Sequence, residues 1–196
     1  MNLYTARAAF KRLKYYDEHV SFGADGSELY NWRLIFDEIS SGRKLSLPED
    51  LTFICKKLKF ERLGEYDWLK SDFVLPLVSK KFVKVLKAHL EQEFELFPIV
   101  IKSSKGQENN DYFAFYLKDY FDCLDKESSI PRAMPDGKLH YDYSHCKIRS
   151  TLDYPFIFKI KGVSTPFMHF TTDTGITLLN KYGLENIGVK NARKET

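Results

Sequence analysis

Almost none of the marks that announce a chemistry are present in this chain. It has no GxGxxG, no P-loop, no GxSxG and no HExxH. No local motif therefore encodes a phosphate cradle, a nucleophile elbow or a helical zinc pair. Cysteine is scarce: Cys55, Cys123 and Cys146 are odd in number and far apart, which excludes a disulfide framework and a CxxC metal knuckle. No apolar run approaches the roughly 20 residues that span a bilayer. The opening stretch, MNLYTARAAFKRLKYYDEH, lacks an apolar h-region, so the expectation is a reduced, cytoplasmic protein without a signal peptide and without a membrane partner. Charge of one sign is also lacking, with 30 Lys and Arg against 27 Asp and Glu, a net +3. That is too mild for the basic stripe of a nucleic-acid binder and of the wrong sign for an acidic mimic of DNA. The most basic runs, Arg7–Lys11–Arg12–Lys14 and Lys190–Arg193–Lys194, read as solvated ends.

What the chain does have is aromatic mass. Sixteen Phe and 12 Tyr in 196 residues supply a large aromatic core, in a length that suits one domain or one domain with an elaboration. Leu3, Ala6, Phe10 and Leu13 have helical spacing, and so do Trp32, Ile35, Phe36 and Ile39. SFGADGSE reads as a loop between them, and SGRKLSLPED breaks the second helix. FVLPLV and FELFPIVI read as strands, placed at sheet edges by Pro76 and Pro98. Between them Ser79 caps a helix whose face is Phe82, Val83, Leu86 and Leu90. SSKGQENN makes a polar hairpin loop, DYFAFYL the returning strand, Asp136-Gly137 a tight turn before LHYDY, and YPFIFKIKG a further strand. Thr171 then caps a helix carrying Ile176, Leu179 and Tyr182, Gly183 closes it, and LENIGVK is a strand. The predicted class is α+β, a mostly antiparallel sheet with helices packed on it. Residues 1–67 form an N-terminal elaboration, helical and loop-rich, and residues 68–196 the core. Strand, hydroxyl cap, helix and strand occur twice, which fits either a two-copy duplication or repeated use of common capping rules.

The densest stretch is DYFAFYLKDYFDCLDKES, residues 111–128, with six aromatic rings, four aspartates and Cys123. As a strand it sends Phe113, Phe115 and Leu117 to one side and Tyr112, Ala114 and Tyr116 to the other. A short helical turn through Phe121 and Leu124 follows. Asp122 and Asp125 would raise the Cys123 pKa, so Cys123 reads as a small buried hydrophobe and not as a nucleophile. In HYDYSHC, His140 and Cys146 share a strand face while His145 points away, which spoils a local three-ligand metal site. His89 reads as a surface partner of Glu93, and His169 as a core or edge histidine. The paired carboxylates Asp119/Asp122, Asp122/Asp125 and Glu91/Glu93 read as solvated faces and caps. No catalytic residue, metal ligand or cofactor is assigned.

One ordered set of segments carries more. LPLVSKKFVKVL, ELFPIVI, YFAFYLKDYFDCLDKES, FIFKI and FMHFTTDTGITLLNKYGLENI follow one another over residues 68–190. In order and spacing they resemble immunity protein family eleven of bacterial polymorphic toxin systems. IFDEISSGRKLSLPED resembles that family's N-terminal region. The chain departs at its end, where Glu185 and Asn186 stand in place of the family's glycine. The resemblance implies an α+β immunity protein that binds a cognate toxin stoichiometrically and without catalysis. Such a toxin is encoded by an adjacent gene and delivered by a contact-dependent or type VI secretion route. Tyr112, Tyr116, Asp119, Tyr120 and Asp122, with Trp32 and Trp68, are the candidate partner contacts, because Tyr and Trp anchor interfaces. A regulatory or scaffold domain and an enzyme with scattered active-site residues are the alternatives.

Overall fold

A computed structural model describes residues 2–8, 20–22, 38, 45, 47, 51–55, 58–71, 73–133, 139–142, 145–163, 168–184 and 187–191. Trp32, the Asp136-Gly137 turn and the helix expected around Phe36 lie outside them, apart from Glu38, which is helical. The architecture is α+β. A six-stranded sheet has the order β2-β3-β6-β7-β5-β4, a three-stranded sheet the order β10-β1-β11, and β8 pairs with β9. These strands are β1 (Leu3–Ala8), β2 (Val20–Phe22), β3 (Leu51–Cys55), β4 (Trp68–Leu69), β5 (Leu77–Ser79), β6 (Phe94–Lys102), β7 (Glu108–Leu117), β8 (Pro131–Ala133), β9 (Leu139–Tyr141), β10 (His169–Thr172) and β11 (Ile187–Asn191). Helix α1 is Lys80–His89, helix α2 is Asp173–Lys181, and a 3-10 helix covers Phe60–Glu65. Of the described pairings, β3 with β6 is parallel, and β1–β10, β2–β3, β4–β5, β5–β7 and β8–β9 are antiparallel. Among the described residues no helix is long and apolar enough to cross a membrane.

The chain folds into two compact units, each discontinuous in sequence. One comprises Met1–Arg7, Val85–Phe94 and Leu117–Thr196, the other Ala8–Lys84 and Glu95–Tyr116. In the second unit Phe82 meets Trp68 and Phe115 edge-on, with ring centroids 5.7 and 6.4 Å apart, a favoured aromatic geometry. Ser79 caps α1 as expected: its Oγ accepts from the Phe82 amide at 3.1 Å and donates to Asp67 Oδ1. In the first unit Leu3, Cys123, Leu124, Phe158, Ile160 and Phe170 form the centre of a buried cluster.

The strand–helix–strand pattern is present twice, with one topology. β5 and β6, joined through α1, flank β7, and β10 and β11, joined through α2, flank β1. The end of α2 follows the expectation closely. Gly183 has φ 64°, its amide donates to the Asn180 carbonyl and the Leu184 amide to the Leu179 carbonyl, both at 2.9 Å. With Leu179 and Leu184 buried, this is a Schellman closure with its apolar contact pair.

Five local expectations are corrected. Leu3–Ala8 is a strand, not a helix, because β10 and β11 lie on either side of it. Neither proline marks a sheet edge. Pro98 is exposed and precedes Ile99, the first residue of β6 that pairs with β3, so its missing N–H interrupts nothing there. Pro76 precedes β5, and its carbonyl accepts from the Phe115 amide at 2.9 Å. Phe121 and Leu124 form isolated bridges to Ile160 and Ile148 instead of a helical turn. Residues 154–162 make single bridges and no continuous strand. Finally, Thr172 and not Thr171 is the N-cap of α2, and it makes no side-chain cap bond. The Thr171 hydroxyl donates to the Phe156 carbonyl at 2.7 Å instead. That bond fixes Gly175 as glycine, since a Cβ there would collide with Thr171 Oγ1 and lie 2.5 Å from the Phe156 carbonyl oxygen.

Candidate functional site

The structure separates the sequence-predicted contact residues into two groups. Tyr112 is 2% exposed, and its hydroxyl lies 2.5 and 2.8 Å from the Leu63 and Tyr66 carbonyls, to which it donates. Trp68 is 5% exposed and packs on Phe82. Both are core side chains, not displayed anchors, and Tyr116 is half-buried. Asp119, Tyr120 and Asp122 are exposed on the segment that leaves β7. Asp119 Oδ2 accepts from the Glu93 amide at 3.2 Å. Arg149 Nη2 lies 3.2 Å from Asp122 Oδ1 and also donates to the Asp122 carbonyl. Beneath Tyr120 lies Lys159, 2% exposed, with its ammonium 4.0 Å from the ring centroid. Burial holds the Lys159 pKa down at about 8, against the opposing pull of Asp119.

The cysteines are buried, as the sequence suggested for Cys123. Burial pushes Cys123 up to about 12 and Cys55 and Cys146 to about 11, so none is a thiolate near neutral pH. Cys146 Sγ donates to the Asp142 carbonyl, His140 is half-buried and His145 exposed. Among the described residues, no three His, Cys, Asp or Glu side chains gather in a metal-ligating group. His89 is not the partner of Glu93. Its Nε2 lies 2.6 Å from the Tyr182 hydroxyl, and Glu93 pairs with Lys118 at 3.6 Å.

A cleft of about 640 Å³ opens in the first unit. Its walls come from three separate stretches. The end of α1 and the turn after it supply His89, Glu91 and Gln92; the segment before the Phe158 bridge supplies Asp153, Tyr154, Pro155 and Phe156; α2 supplies Thr174, Thr177, Leu178 and Lys181. Phe121 completes the floor, with its ring 5.4 Å from Tyr154 and 5.8 Å from Phe158. Apolar surface makes up most of the lining. Sequence reading found Glu91 only as half of a carboxylate pair, and it passed over Asp153. Phe121 was legible as the neighbour of Tyr120 and Asp122, but no spacing rule links it to Leu178. The molecule is thus an α+β protein with an aromatic-floored cleft and, on the same unit, an exposed Asp119–Tyr120–Asp122 segment. No family model matches the chain, and no curated protein matches it.

Proposed function

We propose that this protein is an immunity protein of the polymorphic-toxin kind. It binds a cognate protein toxin in the cytoplasm stoichiometrically and blocks it without chemistry of its own. The observation that carries the reading is the ordered series of segments from LPLVSKKFVKVL to LLNKYGLENI, which resembles immunity protein family eleven. Those segments form β5-α1-β6, β7 and β10-α2-β11. The exposed Tyr120 between two aspartates supports a protein-binding role, since tyrosine contributes large contact area at low entropic cost. Tyr112 and Trp68, being buried, drop out as contacts.

Co-expression with the product of the adjacent gene provides the test. The expected outcome is a complex that survives gel filtration, together with restored growth of cells expressing that product. Tyr120→Ala or Asp122→Ala should weaken the complex at least about tenfold, the range of an interface anchor. Absence of both the complex and the rescue, with a folded chain, would overturn the proposal.

A further inference from the structure

A lysine enclosed by the fold is costly unless its ammonium is answered. Lys159 is 2% exposed, and among the described residues its ammonium is answered by three consecutive positions. Its Nζ donates to the Lys118 carbonyl at 3.3 Å and lies 4.0 Å from the Tyr120 ring centroid, and the Asp119 charge favours its ionised form. Lys118, Asp119 and Tyr120 carry the chain out of β7, which ends at Leu117.

The main chain of this segment is held by other bonds. The Lys118 amide donates to the Glu93 carbonyl at 2.9 Å, the Phe121 amide to the Lys159 carbonyl at 2.7 Å and the Lys161 amide to the Phe121 carbonyl at 3.1 Å. The Glu93 amide donates to Asp119 Oδ2 at 3.2 Å. None of these uses the Lys159 side chain. What the ammonium adds is a seat for the Tyr120 ring, which is 37% exposed. A desolvated cation under an aromatic face holds it by electrostatic attraction that an aliphatic side chain lacks. An apolar side chain of similar length would fill the same space without the cost of desolvating a charge. The charge is thus kept against stability, the pattern of a group retained for function. A tyrosine already held in one orientation loses less freedom on binding, and the difference appears as affinity.

We infer that Lys159 is a positioning residue of the partner interface: its ammonium holds the Tyr120 ring from beneath, in the orientation in which that ring meets the partner protein. The inference rests on the protein-binding reading above. Burial lowers the Lys159 pKa only to about 8, so the ammonium is present at pH 7, where the test is run. The full-length chain, its tyrosine rings labelled with ¹³C, is compared by NMR with its Lys159→Met and Lys159→Gln variants. The second variant keeps a donor for the Lys118 carbonyl but no charge. The Tyr120 signal is assigned by its loss in Tyr120→Phe. In both variants ring order at Tyr120 should fall, while the buried Tyr112 ring keeps its own and reports a folded chain. Against the adjacent gene product, both variants should weaken the complex about threefold to tenfold, the range for one ordered side chain. In a Tyr120→Ala background the same changes should have no further effect, since no ring is left to hold. The inference is overturned by unchanged ring order, by affinity equal to wild type, or by an equal loss in the Tyr120→Ala background. Failure of the wild type to bind that product would remove the immunity reading, and ring order alone would then decide whether Lys159 holds Tyr120. Binding by the wild type together with any of the three contrary results would leave immunity standing and remove this role from Lys159.

Discussion

Lys159 is a charged residue whose burial costs the fold. It is a lysine with 2% exposure, and its ammonium lies under the Tyr120 ring and donates to the Lys118 carbonyl at 3.3 Å. Its pKa is held at about 8 in the folded protein, against 10.5 for the ordinary side chain. Between those values the unfolded chain binds a proton that the folded chain has released, so this group makes stability rise with pH across that window. Cys55, Cys123 and Cys146 act in the opposite sense, because their raised values keep protons on the folded chain. The comparison of wild type with Lys159→Met isolates the lysine. The variant should be the more stable at pH 7, and its advantage should shrink by up to about 3 kcal/mol between pH 8 and 10.5. Urea denaturation at a series of pH values checks this, and an advantage that stays constant with pH would refute it. The FIFKI stretch gave no warning of this burial. Alternation marks which residues share a face, but Phe158 and Lys159 are both enclosed here, by Phe170 on one side and Tyr120 on the other.

Capping decides how the two strand–helix–strand elements differ. Ser79 closes a bonded chain from the Phe82 amide through its own hydroxyl to the buried Asp67 carboxylate, with Lys81 3.7 Å beyond. Ser79→Ala removes the cap and leaves Asp67 short of a donor, a loss of about 2 kcal/mol. Thr172 occupies the matching position before α2, but its Oγ1 is buried without a partner among the described residues. Thr172→Val should therefore change stability by less than about 0.5 kcal/mol, or increase it, since an unsatisfied hydroxyl is replaced by an isosteric methyl. Thermal melts of both variants, measured side by side, check the contrast. Local sequence was a good guide to these elements, because caps and apolar faces are written within a few residues of each other. Ser79 with Phe82, Val83 and Leu86, and Leu179 with Gly183 and Leu184, are such cases. Phe121, Leu124 and residues 154–162 were not, because their single bridges (Phe121 to Ile160, Leu124 to Ile148, Phe158 to Phe170) depend on partners beyond the reach of local periodicity. The cleft was illegible for the same reason: Glu91, Asp153 and Leu178 meet only after the chain has folded.

At the scale of the whole molecule, the β1 strand matters beyond its six residues. Helical spacing at Leu3, Ala6, Phe10 and Leu13 pointed to a helix, yet Leu3, Tyr4, Thr5 and Ala6 pair with Thr172, Thr171, Phe170 and His169. Periodicity carries no information about a partner so distant, which is why this part of the fold could not be read locally. Tyr4 and the Asn2 amide reinforce the pairing through Asp173, at 2.9 and 3.0 Å. Deleting residues 1–8 removes the central strand of the three-stranded sheet and should abolish hydrogen-exchange protection in β10 and β11; retained protection there would show that the sheet closes without it. Synthesis adds a temporal side to this arrangement. β1 ends at Ala8 and β11 begins at Ile187, so at roughly 5–20 residues per second the strand waits on the order of ten seconds for its second neighbour to be translated. During that interval the nascent chain trails an unpaired strand beside the ribosome, a natural foothold for a chaperone and the point at which a stalled or truncated product would first be recognised as unfinished.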